Sequence, residues 1–190
     1  MKNYKTLTTF LVALAATFIA GTASAAIPPS SFYAGLSFEN RSFNLQVKGG
    51  GQTNVQDYGF KATTNSLHLG FRGSFTRIYF EYTPEKTFTS DDTTSELKQS
   101  SWALNGGVYK SIDLFYFGAD LFYEQIELSF ADSSTELPEG ANTGLRIGAG
   151  AFIGPVSIEY SLSSVLSDKV KGDYILQNQS KSAITVAGHF

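Results

Sequence analysis

The residues able to do ionic or acid–base chemistry are few and widely spaced in this sequence. Six charged residues stand singly, each in or beside a segment in which apolar residues alternate with polar or small ones: Glu39, Arg72, Glu81, Asp120, Arg146 and Glu159. If these segments bring the six side chains into one interior, each arginine should pair with two or more carboxylates, because an unpaired buried charge is costly. Such a set predicts a structural polar plug, and a gated path for protons or ions is the alternative.

Nucleophilic and metal chemistry have little support in the residue types. The chain has no cysteine and two histidines, His68 and His189, which are not spaced as a metal-binding pair. Neither histidine lies in a recognisable catalytic motif. Gly49-Gly50-Gly51 lacks the strand–helix context of a phosphate-binding loop. The sequence therefore predicts no catalytic site, no metal site and no cofactor.

Alternation with a period of two recurs along the chain and predicts strands rather than helices. Each segment is close to the length that a tilted membrane-spanning strand requires. The eight candidate strands lie at about 32–39, 67–75, 78–83, 102–109, 115–124, 145–151, 156–163 and 183–190.

The connections between these strands alternate in length. Tight turns rich in Gly, Pro, Ser or Asp are predicted at 73–76, 110–113 and 153–155. Long polar loops are predicted at 40–57, 84–100, 125–142 and 165–180. Four long loops are unusual in a compact soluble domain, whereas membrane barrels have short turns at one end and long loops at the other. The pattern predicts an all-β, eight-stranded, antiparallel up-and-down transmembrane barrel.

The composition of the two faces indicates which one points inward. The polar set is poor in Lys and rich in Gly, which suits a crowded interior, so the apolar set is predicted to face lipid. Aromatic residues near the strand ends predict two interfacial girdles. The outer girdle would contain Phe38, Tyr82, Trp102 and Tyr123, and the inner one Phe32, Phe75, Phe115 and Phe190. A soluble periplasmic ligand-binding barrel is the alternative.

The N-terminus has the features of an export signal. Lys2 and Lys5 precede an apolar stretch at 10–20, and Ala23-Ser24-Ala25 provides a cleavage site. The sequence predicts a signal peptide at 1–25, cleaved after Ala25, and a barrel domain at 26–190; an uncleaved anchor helix is the alternative. The formal net charge is −3 and no basic patch is visible, so no nucleic-acid partner is expected.

The mature segment resembles a known family. The segment at 32–38, the rhythm of strands and loops, and the segment at 182–190 are similar to the eight-stranded outer-membrane barrels of the OmpA/OmpX type and the related opacity-protein group. The resemblance implies a monomer in the bacterial outer membrane, surrounded by lipid and lipopolysaccharide. It also implies that Phe190 closes the barrel and is recognised by the barrel-assembly machinery. Gly188 departs from the family pattern, which usually has an apolar or aromatic residue there.

The resemblance leaves several functions open. An eight-stranded lumen is just wide enough to be filled by side chains, so we expect a structural or surface-interaction role with a plugged lumen and four external loops that contact a host or partner surface. A lipid A acylase or deacylase is the first alternative, because some barrels of this size perform that chemistry. His68, which the strand assignment places near the external end of the second strand, is the residue that it would use. A small gated channel is the second alternative.

Overall fold

The computed structural model describes residues 30–48, 55–90, 96–131, 140–170 and 174–190. The predicted signal peptide and cleavage site at Ala25 lie outside these residues. Eight antiparallel strands follow one another around a closed barrel, and β8 pairs with β1. The strands are β1 (Ser31–Lys48), β2 (Val55–Arg72), β3 (Thr76–Ser90), β4 (Glu96–Ile112), β5 (Phe115–Phe130), β6 (Gly140–Ile153), β7 (Val156–Val170) and β8 (Tyr174–His189).

The predicted fold class is confirmed, including closure at the last residue. Phe190 and Phe32 exchange two backbone hydrogen bonds, with N···O distances of 2.9 and 3.0 Å. These bonds extend the β1–β8 ladder to the end of the chain. Closing the sheet in this way removes both edge strands, which would otherwise expose unpaired backbone groups.

The three tight turns overlap the predicted ones, although β4 continues to Ile112 and the second turn comes later than predicted. They occupy 73–75, 113–114 and 154–155. Asp113 has a φ of 54° and Gly154 a φ of 59°, the positive values that two-residue hairpins need. The turns and both ends of the barrel domain lie at one end, which we call the turn end; the opposite end is the loop end.

The predicted long loops are wrong in extent, because most of their residues continue the strands. β1 and β2 stay paired as far as Lys48 and Val55, well inside the loop predicted at 40–57. The stretches outside the described residues are much shorter than the predicted loops: 49–54, 91–95, 132–139 and 171–173. On β1 to β5 and β8 the apolar side chains change from the outward to the inward face along the strand, and this change made the outer halves of these strands look like irregular polar sequence.

The outside of the barrel near the turn end is an apolar belt. Its exposed side chains include Phe38, Leu69, Ile78, Phe80, Leu104, Phe117, Leu121, Ile147, Tyr160 and Ile184. On β4 the belt runs from Trp102 to Ile112. Its ten residue steps span ~33 Å along the strand, or about 25 Å along the membrane normal at a tilt of ~40°. That height matches the apolar band of a membrane barrel.

Both predicted aromatic girdles lie on the outer surface at the edges of this belt. Phe38, Tyr82, Trp102 and Tyr123 are exposed at its loop-side edge, and Phe32, Phe75, Phe115 and Phe190 are exposed toward the turn end. Trp102 lies between Phe80 and Tyr123, with ring centroids 6.2 and 6.0 Å apart. No helix in the described ranges is long and apolar enough to cross a membrane.

Beyond the belt, β1 to β5 and β8 carry apolar side chains on their inward faces. These side chains form a buried cluster, which we call the apolar plug: Phe43, Leu45, Phe60, Phe88, Leu97, Ile126, Leu128 and Leu176. The outward positions at the same height are polar, as at Asn40, Ser42 and Thr63. The barrel therefore has a polar interior inside the belt and an apolar interior above it.

Candidate functional site in the barrel lumen

The buried charges of the lumen form two clusters at different heights. Strand alternation points every second side chain inward, and no described strand contributes more than two charges to these clusters. The loop-side network lies below the apolar plug and contains Glu39, Arg41, Glu81, Glu124, Arg146 and Lys181. The turn-side network contains Arg77, Asp120 and Glu159.

Arg41 is the centre of the loop-side network. Its guanidinium donates to Glu39 at 2.8 Å, to Glu124 at 2.7 Å and to Glu81 at 3.4 Å. Two hydroxyl groups, of Thr83 at 3.0 Å and Ser101 at 3.2 Å, accept further bonds. One cation on β1 thereby joins strands β1, β3, β4 and β5, which fixes their relative positions.

Arg146 and Lys181 complete the loop-side network from the other wall. Arg146 donates to Glu81 at 2.8 Å, and its second terminal nitrogen donates to the Tyr79 hydroxyl at 2.7 Å. The Lys181 ammonium lies 3.1 Å from Glu39 and also contacts Glu81. Three carboxylates thus face three cationic side chains in this network.

The turn-side network is built on Arg77. Its guanidinium donates to both oxygens of Asp120, at 2.8 and 2.6 Å, and contacts Glu159. Tyr79 donates to Asp120 at 3.1 Å and accepts from Arg146. The tyrosine hydroxyl therefore links the two networks into one chain of hydrogen bonds.

The structure brings five of the six predicted lumen residues into these networks. Arg146 binds one carboxylate directly rather than two. Arg41, Lys181 and Arg77, which carry much of the pairing, were missed: Arg41 falls in a predicted loop, Lys181 directly follows one, and Arg77 follows a predicted turn. Strand parity is the signal that would have found Arg77, because Arg77, Tyr79 and Glu81 share one face of β3.

Arg72 is the sixth predicted residue, and its predicted pairing with carboxylates is wrong. It points inward, but its guanidinium lies between two rings, 4.2 Å from the centroid of Tyr109 and 4.0 Å from that of Phe152. Its buried Nε and Nη1 atoms have no hydrogen-bond partner. Arg77 is its cross-strand neighbour and takes the nearby carboxylates. Arg72 is therefore held by cation–π contacts.

Comparison with known proteins provides information about the fold of this chain. No protein-family description and no curated protein matches the sequence. The solved structure of Neisserial surface protein A superposes with a TM-score of 0.52 at 12% identity, covering 87% of this chain and all of that one. The attachment invasion locus protein Ail of Yersinia pestis reaches a TM-score of 0.44 at 11% identity, covering 84% of this chain and 96% of that one.

The apolar belt and the closed eight-stranded topology decide the location. The chain is an outer-membrane β-barrel. In such barrels the short turns face the periplasm and the longer connections face outward, so the turn end of this barrel is periplasmic and the apolar plug is external.

His68 lies in a different place from the one predicted. It is four residues from the periplasmic end of β2, not near its external end, and its ring points into the lumen. Its Nε2 is 2.7 Å from the Ser37 hydroxyl and 3.6 Å from Glu81. Because one nitrogen faces both groups, and the Ser37 side chain is 0% exposed, this Ser–His pair lacks the geometry and access of a nucleophile and base.

Glu39, His68 and Glu81 place three potential metal ligands within 4.8 Å of one another. Arg41, Arg146 and Lys181 already neutralise this group. Across the described lumen, five carboxylates face five cations when Arg72 is counted. A divalent cation would add an uncompensated charge, so the trio fits an ion-paired cluster better than a metal site.

Both ends of the lumen are closed by side chains. The apolar plug closes the external end, where Phe88 and Leu97 are 0% exposed. Arg72, Tyr109, Tyr116 and Phe152 fill the periplasmic end. Two small cavities beside these side chains have volumes of about 40 and 30 Å³, enough for a few water molecules.

Proposed function

We propose that this outer-membrane barrel is a non-conducting, non-enzymatic protein with a structural or surface-interaction role, and that its external connections contact a host or partner surface. The observation that carries this proposal is the ion pairing of five buried carboxylates with four cations, Arg41, Arg77, Arg146 and Lys181, between two closed ends of the lumen. Moving an ion through the lumen would require breaking several buried charge pairs, each costly to separate.

The parts of the strands that lie beyond the belt, here called the external strand extensions, support a role in presenting the connecting segments to a partner. Above the belt they have an apolar core and a polar surface, which is the arrangement of a water-soluble barrel. Reciprocal amide bonds between Asn142 and Gln179, at 2.6 and 3.0 Å, join β6 to β8 at this height. The extensions therefore form a stiff support beyond the belt, and binding residues are commonly found on the segments that such a support connects.

Conductance in planar bilayers tests the non-conducting part of the proposal. The refolded barrel should give no current steps in concentrated KCl, while an open general porin in the same bilayers supplies the positive control. Reproducible steps that change when Arg41 is replaced by serine would place an ion path in the lumen and overturn this part.

Replacement of residues 49–54, 91–95, 132–139 and 171–173 by short Gly-Ser linkers tests the surface role. Bacteria that display the linker variant should lose adhesion to host cells or matrix proteins, while heat-modifiable migration on gels shows that the barrel still folds. Equal adhesion by bacteria with the intact barrel, the linker variant and no barrel would contradict the surface role.

A further inference from the structure

A polar groove lies on the outer wall of the barrel directly above the apolar belt. It has a volume of about 590 Å³ and is formed by β1, β2, β7 and β8. Its outward lining residues are mainly short hydroxyl and amide side chains: Asn40, Ser42, Thr63, Ser180 and Ser182.

The register of the four strands brings these polar side chains together. Ser42 pairs with Lys61 on one side and Ser180 on the other, and Asn40 pairs with Thr63 and Ser182. Exposed hydrogen bonds join Ser42 to Ser180 at 2.8 Å and Thr63 to Asn40 at 3.0 Å. The result is a grid of hydrogen-bonding groups about 5 Å apart across the strands, suited to a ligand with many hydroxyl groups.

The outer wall is concave at this point because the β7–β8 ladder ends here. Within the ranges that the structure describes, the β7–β8 pairs stop at Ser164 and Ser180, while β8 continues along β1. The β1–β8 register also shifts between Ser42 and Asn44. These two irregularities coincide with the groove and account for a concave surface on a wall that is otherwise convex.

The charge of the lining favours an anionic ligand. Lys61, Arg41 and Lys181 line the groove, and no carboxylate is among its described lining residues. Arg41 and Lys181 bind carboxylates inside the lumen, and the Lys61 side chain lies on the exposed outer surface. The opposite wall is different, since Glu85 and Glu127 lie there on exposed strand surface.

The height of the groove identifies the kind of molecule that meets it. Asn40 is two residues from Phe38 and Ser182 two residues from Ile184, both in the belt, and Leu162 forms part of the groove floor. A lipid whose chains lie along these apolar side chains therefore places its headgroup in the groove. The external position means that this lipid is in the outer leaflet.

We propose that this groove binds the phosphorylated saccharide headgroup of an outer-leaflet glycolipid. Lys61 contacts a phosphate as a point charge, and the Ser, Thr and Asn side chains exchange hydrogen bonds with sugar hydroxyls. A phospholipid headgroup shares the phosphate but offers too few hydroxyl groups to engage the whole grid. This site is independent of any partner bound by the external connections.

Binding to the refolded barrel in mixed micelles tests the site. The probes are a deep-rough lipopolysaccharide, the same glycolipid with its phosphates removed, and phosphatidylglycerol. Lys61→Ala should weaken binding of the phosphorylated glycolipid about tenfold, the loss of one charged contact, and Ser42→Trp should block the groove. Lys98→Ala is the matched control, because Lys98 lies on the opposite wall near Glu85, and it should change binding less than twofold.

The outcomes separate the proposal from its rivals. Removal of the phosphates should reproduce the effect of Lys61→Ala, and phosphatidylglycerol should bind more weakly than the glycolipid. Equal affinity for phosphatidylglycerol would reduce the site to a general anionic-lipid contact and overturn the saccharide assignment. Glycolipid binding unaffected by Lys61→Ala overturns the site, even if Ser42→Trp does not fold.

Discussion

Arg41 on β1 donates a hydrogen bond of 2.7 Å to Glu124 on β5, directly across the lumen. In a closed sheet of eight strands these two strands are opposite each other. The pair therefore works as a strut across the barrel, and it connects walls that share no backbone hydrogen bonds.

Removal of one partner of this strut should destabilise the barrel strongly. Arg41→Met leaves three carboxylates around an uncharged side chain, and we expect a loss of about 3–5 kcal/mol in the free energy of unfolding. Glu124→Gln keeps a hydrogen-bond acceptor and should cost less. Urea unfolding in detergent micelles measures both variants, and a smaller loss for Arg41→Met than for Glu124→Gln would contradict the central role of Arg41.

Arg72 and Arg77 are cross-strand neighbours that point into the same lumen, so they form a matched pair. Arg77→Met should cost about 3–5 kcal/mol because it strands Asp120 and Glu159 without a cation. Arg72→Met removes ring contacts worth about 0.5–2 kcal/mol and leaves no carboxylate unpaired. Unfolding free energies in the same micelles give the ranking, and equal losses would mean that Arg72 also neutralises the carboxylates.

The six predicted lumen residues show how far sequence patterns reach in this fold. Alternation identified Glu39, Glu81 and Asp120 as inward, because each lies in a stretch whose other face is plainly apolar. It missed Arg41 and Lys181, which lie just past the belt, where small polar residues face outward and the apolar contrast disappears. Inside the membrane the apolar residues face outward, and beyond the membrane edge they face inward. An alternation pattern that assigns apolar residues to one face therefore fails for one half of the strand.

The three-dimensional contacts were also needed to distinguish the surroundings of two neighbouring glycines in β4. Gly106 and Gly107 are adjacent in β4 and cannot be told apart from the sequence alone. An added Cβ at Gly107 would lie 2.1 Å from the Ala119 carbonyl oxygen, whereas at Gly106 nothing lies within 4 Å. Gly106 faces lipid and Gly107 faces the crowded interior, because successive residues of a strand point to opposite faces of the sheet.

The adjacent glycines supply a direct test of this packing. Gly107→Ala should impair folding, because the new methyl group would also lie 2.3 Å from the Asp120 carboxylate that Arg77 holds. Gly106→Ala has open space and should leave the barrel intact. Heat-modifiable migration on gels reports the folded fraction of each variant, and efficient folding of Gly107→Ala would show that the β4–β5 wall yields at this point.

The apolar plug can be tested separately from the charges below it. Phe88 is 0% exposed and contacts Phe43, with ring centroids 5.2 Å apart. Phe88→Ala should cost about 3–5 kcal/mol, as expected for a cavity in a packed core, whereas Thr89→Ala on the outer face should cost little. Hydrogen exchange at β3 amides should also quicken in Phe88→Ala, and unchanged exchange would mean that the plug does not exclude water.

The C-terminal aromatic residue combines a seam contact with a predicted assembly signal, and two experiments distinguish these roles. Deletion of Phe190 removes its two backbone hydrogen bonds to Phe32, so refolding in micelles should become modestly less favourable. Phe190→Ala keeps both bonds and should refold like the unaltered barrel. In cells, both variants should insert poorly if the assembly machinery reads the aromatic ring. Normal insertion of Phe190→Ala would restrict Phe190 to closing the seam.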